Sequence, residues 1–106
     1  MSAFEFLPLG SIVSLKSIPD RMMITGRGLN AEYEGEPLFW DYCGVIYPDG
    51  LTGAEAVYFN HSNIEKVIFE GYDDDANRII CGVLEKYLDE NPDIKRLNDR
   101  QKKIWS

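Results

Sequence analysis

His61 is the single histidine of this 106-residue chain, and it sits in the run Asn60-His61-Ser62-Asn63. A metal site built on it needs cysteine or carboxylate partners at ligand spacing, and none lies near in sequence. Neither a second base nor a serine or cysteine in a nucleophile-elbow setting accompanies it, so it reads as a turn residue. The run Asp73-Asp74-Asp75 could coordinate a divalent cation. A calcium loop, however, needs oxygen ligands at alternating positions, a glycine turn and a distal glutamate. Three consecutive aspartates before an apolar stripe read more simply as a helix N-cap, with their charge at the favoured end of the dipole. Gly26-Arg27-Gly28 lacks the further glycines and the following helix of a phosphate-cradling loop, and reads as the end of a strand or a bulge where one edge curls. Cys43 and Cys81 lie far apart and outside any Cys-x-x-Cys pair, the pattern of two buried free thiols. These residues predict no catalytic group, no metal and no cofactor.

Charge and aromatic residues point to a partner instead. Eleven Lys and Arg against eighteen Asp and Glu give a net charge of −7, which argues against nucleic-acid binding. The imbalance is uneven: residues 1–93 hold six basic and seventeen acidic side chains, while residues 94–106 hold five basic and one acidic. An acidic body of this kind steers a basic partner, although a solvated surface accounts for the same charges. Phe39, Trp40, Tyr42 and Tyr47 crowd one strand, with Tyr58 following, which is more than one face of a small core needs. Most of them belong in the core; any that stay exposed are residues of the kind that anchor interfaces. The expected partner-binding set is Phe39, Trp40, Tyr42, Tyr47, Asp49, Tyr58, Asp73, Asp74 and Asp75. A free sheet edge offers a second route, by strand addition.

The elements that must position these residues read as α+β, in one domain spanning 1–106. Apolar residues make up 44% of the chain, enough for a core without disulfide staples. Strands are expected over 9–16, 21–27, 38–47 and 64–72, with a short strand or bend at 54–59. Pro48-Asp49-Gly50 is a turn, and the acidic stretch 30–37 reads as an exposed connection. Four to five short strands with terminal glycines suggest a small curled antiparallel sheet over 7–72, an SH3-like partial barrel. From Asp73 the period changes. Ile79, Ile80, Val83, Leu84, Tyr87 and Leu88 mark the stripe of an amphipathic helix over 73–90. Asn91-Pro92 then predicts the start of a second, shorter helix over 92–104, with Ile94, Leu97, Ile104 and Trp105 on its apolar side. The N-terminus has no cationic region or long apolar run, and no stretch approaches the ~20 residues of a membrane span, so a cytoplasmic location is expected.

Five phrases occur in one order along this scaffold: Leu7-Pro8-Leu9-Gly10-Ser11-Ile12-Val13, Met23-Ile24-Thr25-Gly26-Arg27-Gly28, Trp40 through Gly50, Tyr58-Phe59-Asn60-His61-Ser62-Asn63-Ile64, and Val67-Ile68-Phe69-Glu70-Gly71-Tyr72. Together they resemble domain-of-unknown-function family 4176, small proteins of Gram-positive bacteria. The resemblance spans roughly residues 7–90 and leaves the basic C-terminal stretch outside. It implies a non-enzymatic cytoplasmic chaperone or accessory that binds a type VII-secreted LXG toxin and keeps it stable before export. The alternative is an immunity protein that blocks a toxin domain. No catalytic residue is carried over from the resemblance.

Overall fold

The computed structural model describes residues 4–53 and 56–96. Five strands, β1 (Ile12–Leu15), β2 (Arg21–Tyr33), β3 (Glu36–Tyr47), β4 (Val57–Phe59) and β5 (Ile64–Phe69), precede one helix, α1 (Asp75–Glu90). They form a single open antiparallel sheet in the order β4-β3-β2-β1-β5. The α+β class and the antiparallel sheet agree with the sequence reading, but the sheet is open.

Its backbone is the β2–β3 ribbon, paired from Arg21↔Tyr47 to Tyr33↔Glu36. The stretch 30–37, expected as a loose connection, is therefore mostly strand, closed by the two-residue turn Glu34-Gly35. Both turn residues have positive φ, 52° and 81°, the hand that matches the twist of a hairpin. Glutamates hid the strand because they disfavour β structure, yet here they occupy its exposed positions while Ala31 and Tyr33 turn partly inward. The register slips between Ile24 and Gly26, so the glycine pair marks a bulge within β2 and not its end.

The helix starts where the aspartates predict. Asp74 is the N-cap, its carboxylate accepting the Asn77 N–H at 2.9 Å. Its apolar residues do not form one buried stripe. Cys81, Leu84 and Leu88 pack toward the core and Tyr87 reaches Phe39, whereas Ile79, Ile80 and Val83 face outward, and no residue of α1 is fully buried. Leu84 comes down on β2 at Gly28, where a side chain is ruled out twice. The backbone has φ +60°, and a Cβ would sit 2.3 Å from Leu84 Cδ2. Arg27 ties the layers together: Nη1 donates to Asn77 Oδ1 at 2.6 Å and to the Leu7 carbonyl at 3.2 Å.

The second helix is not formed where it can be seen. Asn91 caps the end of α1 instead of opening a new helix, donating its N–H to the Leu88 carbonyl at 3.2 Å. Residues 92–96 are turn and extended chain, because Lys95 and Arg96 are drawn to β3 by contacts that a helix would break. The rest of that expected helix, with Leu97, Ile104 and Trp105, lies outside the described residues.

Two glycines give opposite expectations. A Cβ on Gly71 would lie 2.1 Å from the Leu9 carbonyl oxygen, where backbone leaves no room, and the Gly71 N–H is held by Ser11 Oγ at 2.9 Å. Gly71→Ala should lower the unfolding free energy by about 1–3 kcal/mol in a urea titration. Gly82 lies inside α1 with nothing within 4 Å of its Cβ position, so Gly82→Ala should raise stability by about 0.5–1 kcal/mol. Equal effects would contradict the packing described.

Candidate functional site

Alternation along β3 sends Leu38, Trp40 and Tyr42 into the main core and Phe39 and Asp41 to the opposite face. All five are buried. Trp40 packs against Tyr58 at 6.1 Å between ring centres, and Tyr42 stacks on Phe59 at 5.5 Å. Phe39 meets Tyr87 of α1 at 5.9 Å. Trp40 and Tyr42 therefore build the core and present no surface to a partner, while the Phe39 ring is covered by Tyr87 and by the Arg96 guanidinium. Of the expected binding set, the fold brings Trp40 and Tyr58 together. Tyr47 is partly exposed beneath the Arg21 guanidinium at 5.1 Å, and Asp49 lies exposed in the turn after β3. The aspartates serve the helix start: Asp74 caps it and Asp73 accepts from Asn77 Nδ2 at 2.9 Å. Hydrogen bonds from Asn77 and Arg78 hold the Asp73 carboxyl below its ordinary range.

His61 begins a single 3-10 turn (His61–Asn63) between β4 and β5. Tyr42 Oη accepts the Leu7 N–H at 3.0 Å and shares a hydrogen bond with His61 Nδ1 at 2.8 Å. Burial favours the neutral imidazole and lowers its pKa from 6.5, opposed by nearby Asp41. Burial likewise pushes the Tyr42 phenol well up. Phe4 stacks on the imidazole at 4.2 Å. The ring is thus boxed into the core by hydrogen bond and stacking, and its sequence context as a turn residue is what the structure shows.

Asp41 is the buried charge among the described residues, 1% exposed. Its Oδ2 accepts the His61 N–H at 2.9 Å and its Oδ1 accepts Arg96 Nη2 at 2.5 Å. The aspartate in the middle of an aromatic strand was the available signal for this site: a buried carboxylate demands a cation. Cys43 and Cys81 are free and half-buried. Burial raises the Cys81 thiol pKa, opposed by the Arg27 guanidinium 3.4 Å away. Among the described residues, no three His, Cys, Asp or Glu converge as metal ligands.

Part of the surface of α1 is apolar. On the outward face of α1, Ile79 is 66% exposed, Ile80 48% and Val83 59%. Beside it, Leu9, Tyr72, Ala76 and Ile80 line a shallow groove of about 310 Å³ with Arg27, Asp74 and Asn77. The helix spacing held a signal for this: apolar pairs at i, i+1, i+4, i+5, i+8 and i+9 cover more of the circumference than one buried stripe needs.

An open antiparallel sheet with one half-covered helix, an outward apolar face and no convergent ligand set among the described residues defines a small α+β domain built around surfaces. Residues 6–79 match the model of the domain of unknown function DUF4176, and the chain belongs to that family. Comparison with curated proteins and with solved structures finds no match. No described helix is long and apolar enough to cross a membrane.

His61 makes stability depend on pH in a defined direction. Because its folded pKa lies below 6.5, the unfolded chain takes up the proton first as pH falls. The neutral-histidine contribution is fully present above pH 6.5 and is lost progressively below it. Urea midpoints should therefore drop as pH falls below 6.5, and His61→Gln should flatten the profile there. An unchanged profile in the variant would assign the pH dependence to other groups.

Proposed function

We propose that this chain is a non-enzymatic binding protein: a dedicated cytoplasmic chaperone that holds a cognate type VII-secreted LXG toxin before export. The observation that carries the binding role is the outward face of α1. Ile79, Ile80 and Val83 repeat at helical spacing, together with Tyr72 at 80% exposure. A solvent-exposed helix normally places polar residues there, and an apolar face of this extent marks an interaction site. The helix-in-groove mode of recognition uses such i, i+3, i+4, i+7 anchors. The net charge of −7 supports a partner with a basic surface and opposes self-association through the same face. The family resemblance supplies the identity of that partner.

The test is co-purification and titration of the LXG toxin with the full chain and with the double variant Ile80→Glu/Val83→Glu. Both side chains are exposed, so the variant should keep its fold and urea midpoint. Toxin affinity should fall about tenfold or more, the scale of losing an interface anchor. Unchanged affinity would remove α1 from the binding site. A toxin whose activity is blocked in the complex would turn the reading to immunity; a chaperone leaves that activity intact.

A further inference from the structure

We propose that the outer edge of β3 from Glu36 to Asp41 is a docking site for an extended basic segment carrying a Lys-Arg pair, and that the chain's own Lys95-Arg96 occupies it in cis. This goes beyond the toxin-binding reading and uses a different element.

The edge is left open by the length of β4, which pairs with Tyr42, Cys43 and Gly44 and no further upstream. Beyond that point the outward amides need other acceptors. Asn60 Oδ1 takes the Asp41 N–H at 2.9 Å, and the Lys95 carbonyl takes the Phe39 N–H at 2.9 Å. The second of these is a strand-addition hydrogen bond made by a segment that is not a strand of the sheet.

Each charge of the Lys-Arg pair is also met. Lys95 Nζ donates to Glu36, and Arg96 donates to Asp41 Oδ1 at 2.5 Å and to Asn60 Oδ1 at 3.3 Å. The Arg96 guanidinium lies over the Phe39 ring, 5.4 Å from its centre. Asp41, 1% exposed, supplies a desolvated carboxylate that selects a guanidinium over a more strongly hydrated ammonium. Backbone, lysine and arginine are thus read separately, as in recognition of an extended peptide.

The occupant nevertheless keeps part of its surface in solvent. The Arg96 side chain is 28% exposed and Lys95 68%, and both follow α1 in chain without regular structure. A cavity of about 410 Å³ lined by Phe4, Asp41, His61, Ser62 and Arg96 opens beside the guanidinium and leaves room for a longer ligand. The Asp41 half of the site lies within residues 6–79 matched by the family model, and the arginine that fills it lies outside them. The acidic body, six basic against seventeen acidic residues over 1–93, draws basic segments toward this edge. A cis occupant raises the concentration a partner needs, because the competent state is populated only when Lys95-Arg96 lifts away.

The probe is a fluorescein-labelled peptide, Gly-Asp-Ile-Lys-Arg-Leu-Gly, titrated by anisotropy against the full chain. Arg96→Gln should bind it about tenfold more tightly than the unsubstituted chain does, since the competitor is disabled. A peptide of equal charge with the pair reversed to Arg-Lys should bind at least severalfold more weakly, and Arg96→Gln/Asp41→Asn should lose the interaction. Should Arg96→Gln fail to fold by circular dichroism, Lys95→Glu decides, because it repels Glu36 and leaves the Arg96–Asp41 pair intact; its affinity for the probe should also rise. The proposal is overturned if the folded variants bind the probe no more tightly than the unsubstituted chain, or bind both peptides alike.

Discussion

The constraint on which this structure depends is that β3 must be covered on both faces. Leu38, Phe39, Trp40, Asp41 and Tyr42 are five consecutive buried residues, whereas a strand on a one-sided sheet would bury alternate ones. Burying each large side chain contributes about 1.5–3 kcal/mol, so both faces have strong reason to stay dry. One face is closed by Phe6, Phe59 and the buried residues of β1 and β2. The other receives Tyr87 from α1 and Arg96 from the segment after it. The anion at Asp41 adds the second half of the constraint, because its desolvation costs several kcal/mol unless a cation and hydrogen bonds meet it.

The surfaces of the molecule follow from how economically that covering is done. A single 16-residue helix packs through Cys81, Leu84 and Leu88, and its neighbouring apolar residues are left facing outward. The three-residue β4 stops short of the β3 edge that Lys95 completes. At the far side of the sheet β5 is an edge strand, with Val67, Ile68 and Phe69 all exposed. A domain whose secondary structure only just encloses its central strand presents apolar faces and open edges, which is the form a binding protein needs and an aggregation-resistant monomer avoids.

Much of this was legible in the sequence because it rests on local chemistry. The Asp73–Asp75 cap, the start of α1 and the strands around Met22 and Trp40 follow from residues within one or two turns of each other. What was not legible depended on distant pairing. Glu32 and Glu36 carry a loop signal because strand propensity is set by a partner strand, here through Pro37 and Tyr33 across a tight hairpin. Asn91-Pro92 carried a good helix-start signal, but the ion pairs of Lys95 and Arg96 with β3 competed with it and kept 92–96 out of a helix. The candidate site shifted for the same reason. Aromatic residues on β3 looked available until the fold buried them, and the apolar excess on α1 was read as core until the sheet proved too narrow to cover it.

Residue-resolved amide hydrogen exchange of the free protein tests this account most directly. If β3 is the centre that everything else covers, the amides of Leu38, Trp40 and Tyr42, on the β2 side of the strand, exchange last and through global unfolding. Those of β5 and α1, which bury little, then exchange through smaller openings of lower free energy. Amides of α1 protected as strongly as those of β3 would contradict it, and would mean that the helix is part of the core and not a half-covered surface.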